Sequence, residues 1–211
     1  LRAAGVSYHV VKNTLTAIAA KEAGMEDLIS HLEGTTALAV SSGMTFKDGT
    51  KEATVTGQMG HIFAKKLLDA GYDVLLIRDG DDVQLDNVAR TVLANNKADA
   101  HIALHWDSTE KDKGAFFMSV PDSLKKMEPV ASHWESHEKL GESLISGLRG
   151  KGVKIFSKGR MDMDLTQTSY STSPSVDIEL GDKISDHSEK QLNLLGDALV
   201  DGVNKYYGFT S

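Results

Sequence analysis

The sequence contains no cysteine, few prolines, no basic excess and no long apolar run. Without cysteine, the chain cannot use a thiolate nucleophile, a cysteine-ligated metal site or a disulfide framework. Its formal net charge of −7 gives no overall attraction to nucleic acid or to anionic lipid. The longest apolar runs, such as Ala37–Val40 and Val74–Ile77, are far too short to span a membrane. No signal peptide is recognisable at Leu1, so localisation has to be inferred from function.

The remaining composition is that of a globular domain, with 40% hydrophobic and 25% charged residues. The chain of 211 residues suits one domain, or one domain with an extension. The hydrophobic spacing predicts helices over 14–23, 26–32, 52–70, 85–95, 132–148 and from about 192 to 203. It predicts strands over 8–12, 36–40, 72–78, 100–105, 115–120, 153–156 and 175–180. This alternation predicts an α/β fold, a three-layer sandwich in which helices cover both faces of a mixed, mostly parallel sheet.

Four segments between Gly43 and Tyr207 carry a recognisable pattern. The first is Glu52 and its helix, which runs into DAGYDVLLIRDGDD (69–82), and the second is VARTVLANNKADAHIALHWDS (88–108). The third is Gly114, which opens a strand after a loop, and the fourth is PSVDIELGDKISDHSEKQL (174–192), with a Pro-x-x-x-x-Glu-x-Gly signature. In order and spacing these segments resemble the zinc-dependent N-acetylmuramoyl-L-alanine amidases, which cut the lactyl–L-alanine amide of peptidoglycan.

The resemblance implies a Zn²⁺ cofactor with Glu52 and His105 as ligands, and Glu179 as the general base and acid. Zinc with an open coordination position activates water and polarises a carbonyl, and a separate carboxylate moves the proton to the leaving amine. The residues by themselves leave alternatives open. Glu52 is also typical of a helix N-terminus favoured by the helix dipole, His105 of a polar strand end, and Glu179 of an exposed edge strand.

The sequence departs from this family at the first zinc ligand. The family opens with a strand that runs into Gly-His-Gly, whereas the matching strand here is TTALAVSSGM (35–44) and Ser42 stands at the histidine position. A serine hydroxyl is a poor substitute for imidazole, so we expect weakened or absent zinc binding and low activity. His101 shares a face with His105 but lies roughly 13 Å away along the strand, too far to share one zinc ion. The third ligand stays unassigned.

Residues 1–42 resemble a different family. LRAAGVSYHVVKNTL and HLEGTTALAVSS are similar to part of the bacterial ribosomal protein that anchors the large-subunit stalk. The segment holds three basic and four acidic residues, so we do not expect it to bind RNA. We therefore predict a chimeric chain, in which residues 1–42 supply one strand and residues 43–211 form the amidase catalytic domain.

The function predicted from the resemblance is hydrolysis of the amide between N-acetylmuramic acid and L-alanine. The expected partner is peptidoglycan, and we expect neither nucleic-acid binding nor membrane insertion. The protein is expected to be extracellular or associated with the cell wall, or to be a phage lysin. Two alternatives remain. The chain could be an inactive module that binds the wall without cutting it, or a fusion whose N-terminal part binds ribosomal RNA.

Overall fold

A computed structural model describes residues 43–80, 85 and 87–209. The chain divides into two compact units, Leu1–Ser41 and Ser42–Ser211, and the described residues all belong to the second. The helices predicted over 14–23 and 26–32 and the strands predicted over 8–12 and 36–40 lie outside these residues. None of the helices in the described part combines the length and apolar character needed to cross a bilayer.

Five helices and four strands follow one another along the described residues, and most occur where they were predicted. The helices are α1 (Glu52–Asp69), α2 (Asn87–Lys97), α3 (Trp134–Gly150), α4 (Thr166–Tyr170) and α5 (Glu189–Tyr207), and a 3₁₀ turn spans Val130–Ser132. The strands are β1 (His101–Asp107), β2 (Ala115–Ser119), β3 (Ile155–Asp162) and β4 (Ser175–Asp182).

The strands form one mixed sheet in the order β1-β4-β2-β3. β1 pairs with β4 in parallel and β2 pairs with β3 in parallel, whereas β2 and β4 are antiparallel. Two of the three pairings are therefore parallel, which confirms the predicted mixed and mostly parallel sheet. The register between β1 and β4 makes His105 the Cα partner of Glu179.

Alternation along β4 separates the two faces of the sheet. Val176, Ile178 and Leu180 are buried and join the hydrophobic core to which α1, α3 and α5 contribute. On the opposite face, the side chain of Gln167 on α4 donates to the hydroxyl of Ser175. Helices therefore lie on both faces, as the α/β sandwich requires.

The segment 72–78 corrects one sequence prediction. We predicted a buried strand, but the structure assigns no strand there, and Leu75 is 51% exposed. An apolar run becomes a strand only when a neighbouring strand supplies hydrogen-bond partners. Among the described residues this segment pairs with none, so its hydrophobic character alone did not produce a strand.

Candidate active site

The polar side chains of the site meet where β1 and β4 end. Because the two strands are parallel, their carboxyl ends lie at the same edge of the sheet, the edge at which ligand chemistry collects in open α/β sheets. Directly paired residues point to the same face, so His105 and Glu179 stand side by side. These two predicted site residues, 74 positions apart in the sequence numbering, are thus brought together by strand register.

Glu52 reaches the same place from the first residue of α1. Its atom Oε1 lies 3.1 Å from Nδ1 of His105 and accepts a hydrogen bond from the backbone N–H of Trp106 at 3.2 Å. Its Oε2 accepts the backbone N–H of Met44 at 2.7 Å. The carboxylate is thereby held by three partners, and its side chain is only 8% exposed.

Gly43 lets the loop before α1 approach Glu52 closely. It has a positive φ of 73°, and a Cβ at this position would lie 2.3 Å from Oε2 of Glu52. Neither the backbone conformation nor the space suits another residue type. The loop conformation thus brings the N–H of Met44 within hydrogen-bonding distance of the carboxylate.

The other ring nitrogen of His105 faces a residue that the sequence analysis missed. Nε2 lies 3.5 Å from Oδ2 of Asp177, whose side chain is 15% exposed. Asp177 precedes Glu179 by two residues on β4 and therefore points to the same face of the sheet. This two-residue spacing was the available signal, but only the register between the strands shows that Asp177 reaches the imidazole.

Glu179 has an unusual environment for a carboxylate. Its Oε2 is buried and has no hydrogen-bond partner among the described residues. Burial raises the pKa of Glu179; the positive charge of His105 opposes this, and the charges of Asp177 and Glu52 add to it, giving a pKa of about 8. This carboxyl group can therefore exchange a proton near neutral pH, as a general acid–base catalyst must.

Burial and the mutual interactions of the neighbouring groups shift their pKa values. Burial disfavours the charged imidazole of His105, but its hydrogen bond to Glu52 and the charge of Asp177 outweigh that effect and raise its pKa to about 9. Burial likewise opposes ionisation of Glu52, yet its hydrogen bonds lower its pKa below the usual value. Burial raises the pKa of Asp177, against the charge of His105. Without a metal ion, the imidazolium acts as the positive centre among three carboxyl groups.

The geometry of Glu52 and His105 is compatible with their predicted role as ligands. Two ligand atoms on a tetrahedral zinc ion, with bonds of about 2.0–2.1 Å, lie about 3.3 Å apart. The 3.1 Å separation of Oε1 and Nδ1 is close to this value. No group of three or more His, Asp or Glu side chains suited to a metal ion occurs in the described part of the chain. The residues present therefore fit zinc as two members of a ligand set whose third member is not among them.

His101 begins β1 and is the Cα partner of Ser175, four residues before His105. It is buried, and its Nδ1 has no hydrogen-bond partner among the described residues.

Comparisons with known proteins match two family models, of which the first covers most of the chain. Residues 33–203 match the family model described as N-acetylmuramoyl-L-alanine amidase, and residues 1–53 match the model of ribosomal protein L10. The large ribosomal subunit protein uL10 of Paenarthrobacter aurescens (strain TC1) is 38% identical over 106 residues, which cover 45% of this chain and 52% of the relative. The chain thus spans about half the length of this curated relative.

Solved structures of amidases share the fold. An N-acetylmuramyl-L-alanine amidase from Mycobacterium smegmatis superposes with a TM-score of 0.70 at 20% identity, over 83% of this chain and 86% of that one. The CwlD amidase from Clostridioides difficile, in complex with the GerS lipoprotein, gives a TM-score of 0.64 at 18% identity, over 83% and 95%. An N-acetylmuramoyl-L-alanine amidase of Nostoc punctiforme also gives 0.64, at 19% identity, over 80% and 91%.

Proposed function

The chain belongs to the N-acetylmuramoyl-L-alanine amidase family, and we propose that it hydrolyses the amide bond between N-acetylmuramic acid and L-alanine in peptidoglycan. One observation carries the proposal. Glu52, His105 and Glu179 come from three separate elements and converge at one edge of the sheet, where Oε2 of Glu179 is buried without a hydrogen-bond partner among the described residues. This oxygen of Glu179 therefore makes no hydrogen bond that would hold the fold together, which leaves it free for a role in the reaction.

Glu52 and His105 would hold the zinc ion through Oε1 and Nδ1. Two features support this assignment, namely the separation of the two atoms and the backbone N–H groups that fix the carboxylate before any metal binds. When bound, zinc supplies a positive charge that lowers the pKa of water and polarises the amide carbonyl.

Glu179 moves the proton that hydrolysis transfers. Its carboxylate accepts a proton from the attacking water, whose oxygen bonds to the carbonyl carbon. The same proton then passes to the nitrogen of L-alanine as the carbon–nitrogen bond breaks, which yields a lactyl carboxyl group and a free amine. Burial raises the pKa of Glu179 and the positive charge of a bound zinc ion would lower it, and these opposed effects would together set its proton affinity during the reaction.

The lack of an assigned third zinc ligand affects the expected zinc affinity and the expected rate of hydrolysis. A typical catalytic zinc site has three protein ligands, and this chain has Ser42 where the resemblance places a histidine. We therefore propose that zinc is bound more weakly than in a complete site and that turnover is low. Because the substrate lies outside the cytoplasmic membrane, we propose that the chain acts in the cell wall or the extracellular space, or as part of a phage lysin.

The test combines zinc content with the chemistry of wall cleavage. Zinc per chain is measured by elemental analysis after purification in trace zinc, and purified peptidoglycan is incubated with the full chain. Amidase action creates new N-terminal L-alanine without new reducing sugar ends. We expect Glu179→Gln to retain zinc and to reduce the release of L-alanine termini by at least about 100-fold, the lower range of general acid–base contributions.

Glu135→Gln is the matched control, since it makes the same chemical change at an exposed position in the first turn of α3. It should leave release unchanged. Release that persists undiminished in Glu179→Gln, or the absence of release from the unmodified chain, would contradict the proposal.

A second candidate function is a wall-binding module without turnover. It is favoured by the lack of a third His, Asp or Glu ligand in the described part of the chain. Sedimentation with insoluble peptidoglycan, combined with no zinc and no release of L-alanine termini, would establish this alternative.

A further inference from the structure

A carboxylate outside the predicted machinery faces the imidazole of His105. We propose that Asp177 is a positioning residue, which accepts a hydrogen bond from Nε2–H of His105 and so holds Nδ1 toward Glu52. The proposal rests on the proposed function, in which Nδ1 of His105 and Oε1 of Glu52 hold zinc together. It assigns to Asp177 a role through His105 and no contact with the metal or the substrate.

The two strands place Asp177 where it can do this. In the register of β1 and β4, Asp177 is the Cα partner of Ala103, and His105 is two residues further along the same face. The distance between Nε2 and Oδ2 is 3.5 Å, an ion-pair distance slightly longer than an ordinary N–H···O hydrogen bond of about 2.7–3.2 Å.

Both nitrogens of the ring therefore face carboxylates from different elements. Nδ1 faces Glu52 on α1 and Nε2 faces Asp177 on β4. Rotating the ring by 180° would replace each nitrogen with a carbon and would lose both contacts. This matters because the side chain of His105 is 45% exposed, so packing alone does not determine which way the ring is turned.

A hydrogen bond at Nε2 also selects the tautomer. If Nε2 carries the proton, Nδ1 has a free lone pair directed toward Glu52, which is the form that a metal ligand requires. Histidine ligands commonly donate their second N–H to a carboxylate, and loss of that partner typically weakens metal binding by about 10- to 100-fold. Asp177 lies at the nitrogen remote from Glu52, so its position matches that of such a partner.

The test measures zinc affinity by competition with a chromogenic chelator, using the full chain with substitutions at position 177. We expect Asp177→Ala to weaken zinc binding by about 10- to 100-fold. Asp177→Asn should lose much less, because an amide oxygen still accepts the Nε2 proton. Asp107→Asn is the control, since Asp107 also lies on this edge of the sheet but contacts Lys113; it should leave the affinity unchanged.

Two affinity results would overturn the proposal. An unchanged affinity in Asp177→Ala would remove any role for Asp177, and an equal loss in the Asn and Ala variants would mean that the carboxylate acts by charge or as a direct ligand. Thermal unfolding of each variant, measured without zinc, must show that the fold is retained.

A metal-free measurement separates this proposal from the proposed function. If the unmodified chain binds no zinc, the amidase mechanism fails, but the contact between Asp177 and His105 can still be examined by ¹⁵N-edited NMR of the histidine rings. A slowly exchanging Nε2–H signal of His105 that persists in Asp177→Asn and disappears in Asp177→Ala supports the positioning role. A signal that is insensitive to both substitutions contradicts it.

Discussion

Atom Nδ1 of His105 lies 3.1 Å from Oε1 of Glu52, although the two residues are 53 positions apart in the chain. The contact does not depend on a bound metal, because backbone N–H groups of Met44 and Trp106 already fix both oxygens of Glu52. A preorganised pair of ligands needs little rearrangement when an ion binds, which favours affinity. The same pair is stable without an ion, since the carboxylate and the imidazolium neutralise each other.

The first prediction concerns the effect of zinc on stability. A ligand that binds only the folded state raises the unfolding temperature, and the stabilisation grows with the logarithm of its concentration relative to its dissociation constant. Added zinc should therefore stabilise the chain, and a chelator should reverse the effect. Glu52→Gln should abolish most of this zinc-dependent shift, because the neutral amide is a far weaker ligand. Differential scanning calorimetry with and without zinc checks this. An equal shift in the variant would show that zinc binds elsewhere.

The second prediction restores the residue that the resemblance places at position 42. Ser42→His should increase zinc affinity by at least about tenfold, since structural and catalytic zinc sites use three or four protein ligands and imidazole is among the preferred ones. Release of L-alanine termini from peptidoglycan should rise in parallel. Chelator competition and the wall-digestion assay measure the two effects separately.

Ser41→His is the matched control for this substitution. It adds the same imidazole one position earlier, where the resemblance aligns no ligand. If both variants gained zinc affinity equally, the gain would not depend on position 42, and the alignment of Ser42 with the family's histidine ligand would be contradicted.

The convergence of His105 and Glu179 shows which parts of the site can be predicted from sequence. Each residue ends or nearly ends a short strand that the hydrophobic spacing predicts, and the family resemblance assigned both to one site. The structure brings them together through the pairing of β1 and β4. Their catalytic and ligand roles stay predictions, because the fold alone does not test them.

Asp177 and the segment 72–78 show why the rest could not be predicted. Asp177 matters only because the pairing of β1 with β4 puts it beside His105. The pattern of a single strand indicates which residues share a face, but it does not specify the partner strand or the residue opposite each position. The segment 72–78 has the apolar character of a strand, but pairing depends on a neighbour that its own sequence does not specify. Both cases depend on contacts between distant parts of the chain.

β3 shows a further reason why the bounds of a strand could not be predicted from the sequence. We predicted a short strand over 153–156, whereas the structure has Ile155–Asp162. Ser157 and Gly159 have positive φ angles of 48° and 90°, and the pairing with β2 shifts register across this part. Such a bulge interrupts the alternation of side chains on which strand prediction depends.

The third prediction concerns stability at low pH. His101 and His137 are 7% and 2% exposed. Burial, followed by the charge of Arg90, lowers the pKa of His101 to about 4; burial, followed by the charge of His133, lowers that of His137 to about 4. The unfolded chain takes up these protons near pH 6.5, whereas the folded chain resists them until about pH 4. The stabilisation is therefore complete above pH 6.5 and is lost as the pH falls toward 4.

Urea unfolding at pH 7.5, 6 and 5 measures this dependence. The two histidines should contribute a decrease in the free energy of unfolding across the series, whereas Glu179 and His105, whose pKa values are raised, contribute in the opposite direction. The double variant His101→Gln, His137→Gln should lack the histidine contribution, because glutamine does not titrate. An identical slope in the two proteins would assign the acid sensitivity to other groups. Comparison of slopes is required, since either substitution also changes the absolute stability.

The fourth prediction tests the close approach of α3 and α5. A Cβ atom at Gly147 would lie 2.1 Å from the carbonyl oxygen of Ala198 and 2.8 Å from the backbone N of Gly202. A Cβ at Gly202 would in turn lie 2.6 Å from Cα of Leu144. These neighbours are backbone atoms, so a change of rotamer cannot relieve the overlap and the helices would have to separate.

Gly147→Ala should therefore lower the free energy of unfolding by about 1–3 kcal/mol, the usual cost of overpacking a core. Gly150→Ala is the control on the same helix, because a Cβ there meets nothing within 4 Å. It should raise the free energy by about 0.4–1 kcal/mol, since alanine has less backbone freedom in the unfolded chain. Urea denaturation of both variants measures the difference. Effects of the same sign and size would mean that helix propensity, rather than the contact between α3 and α5, determines the outcome.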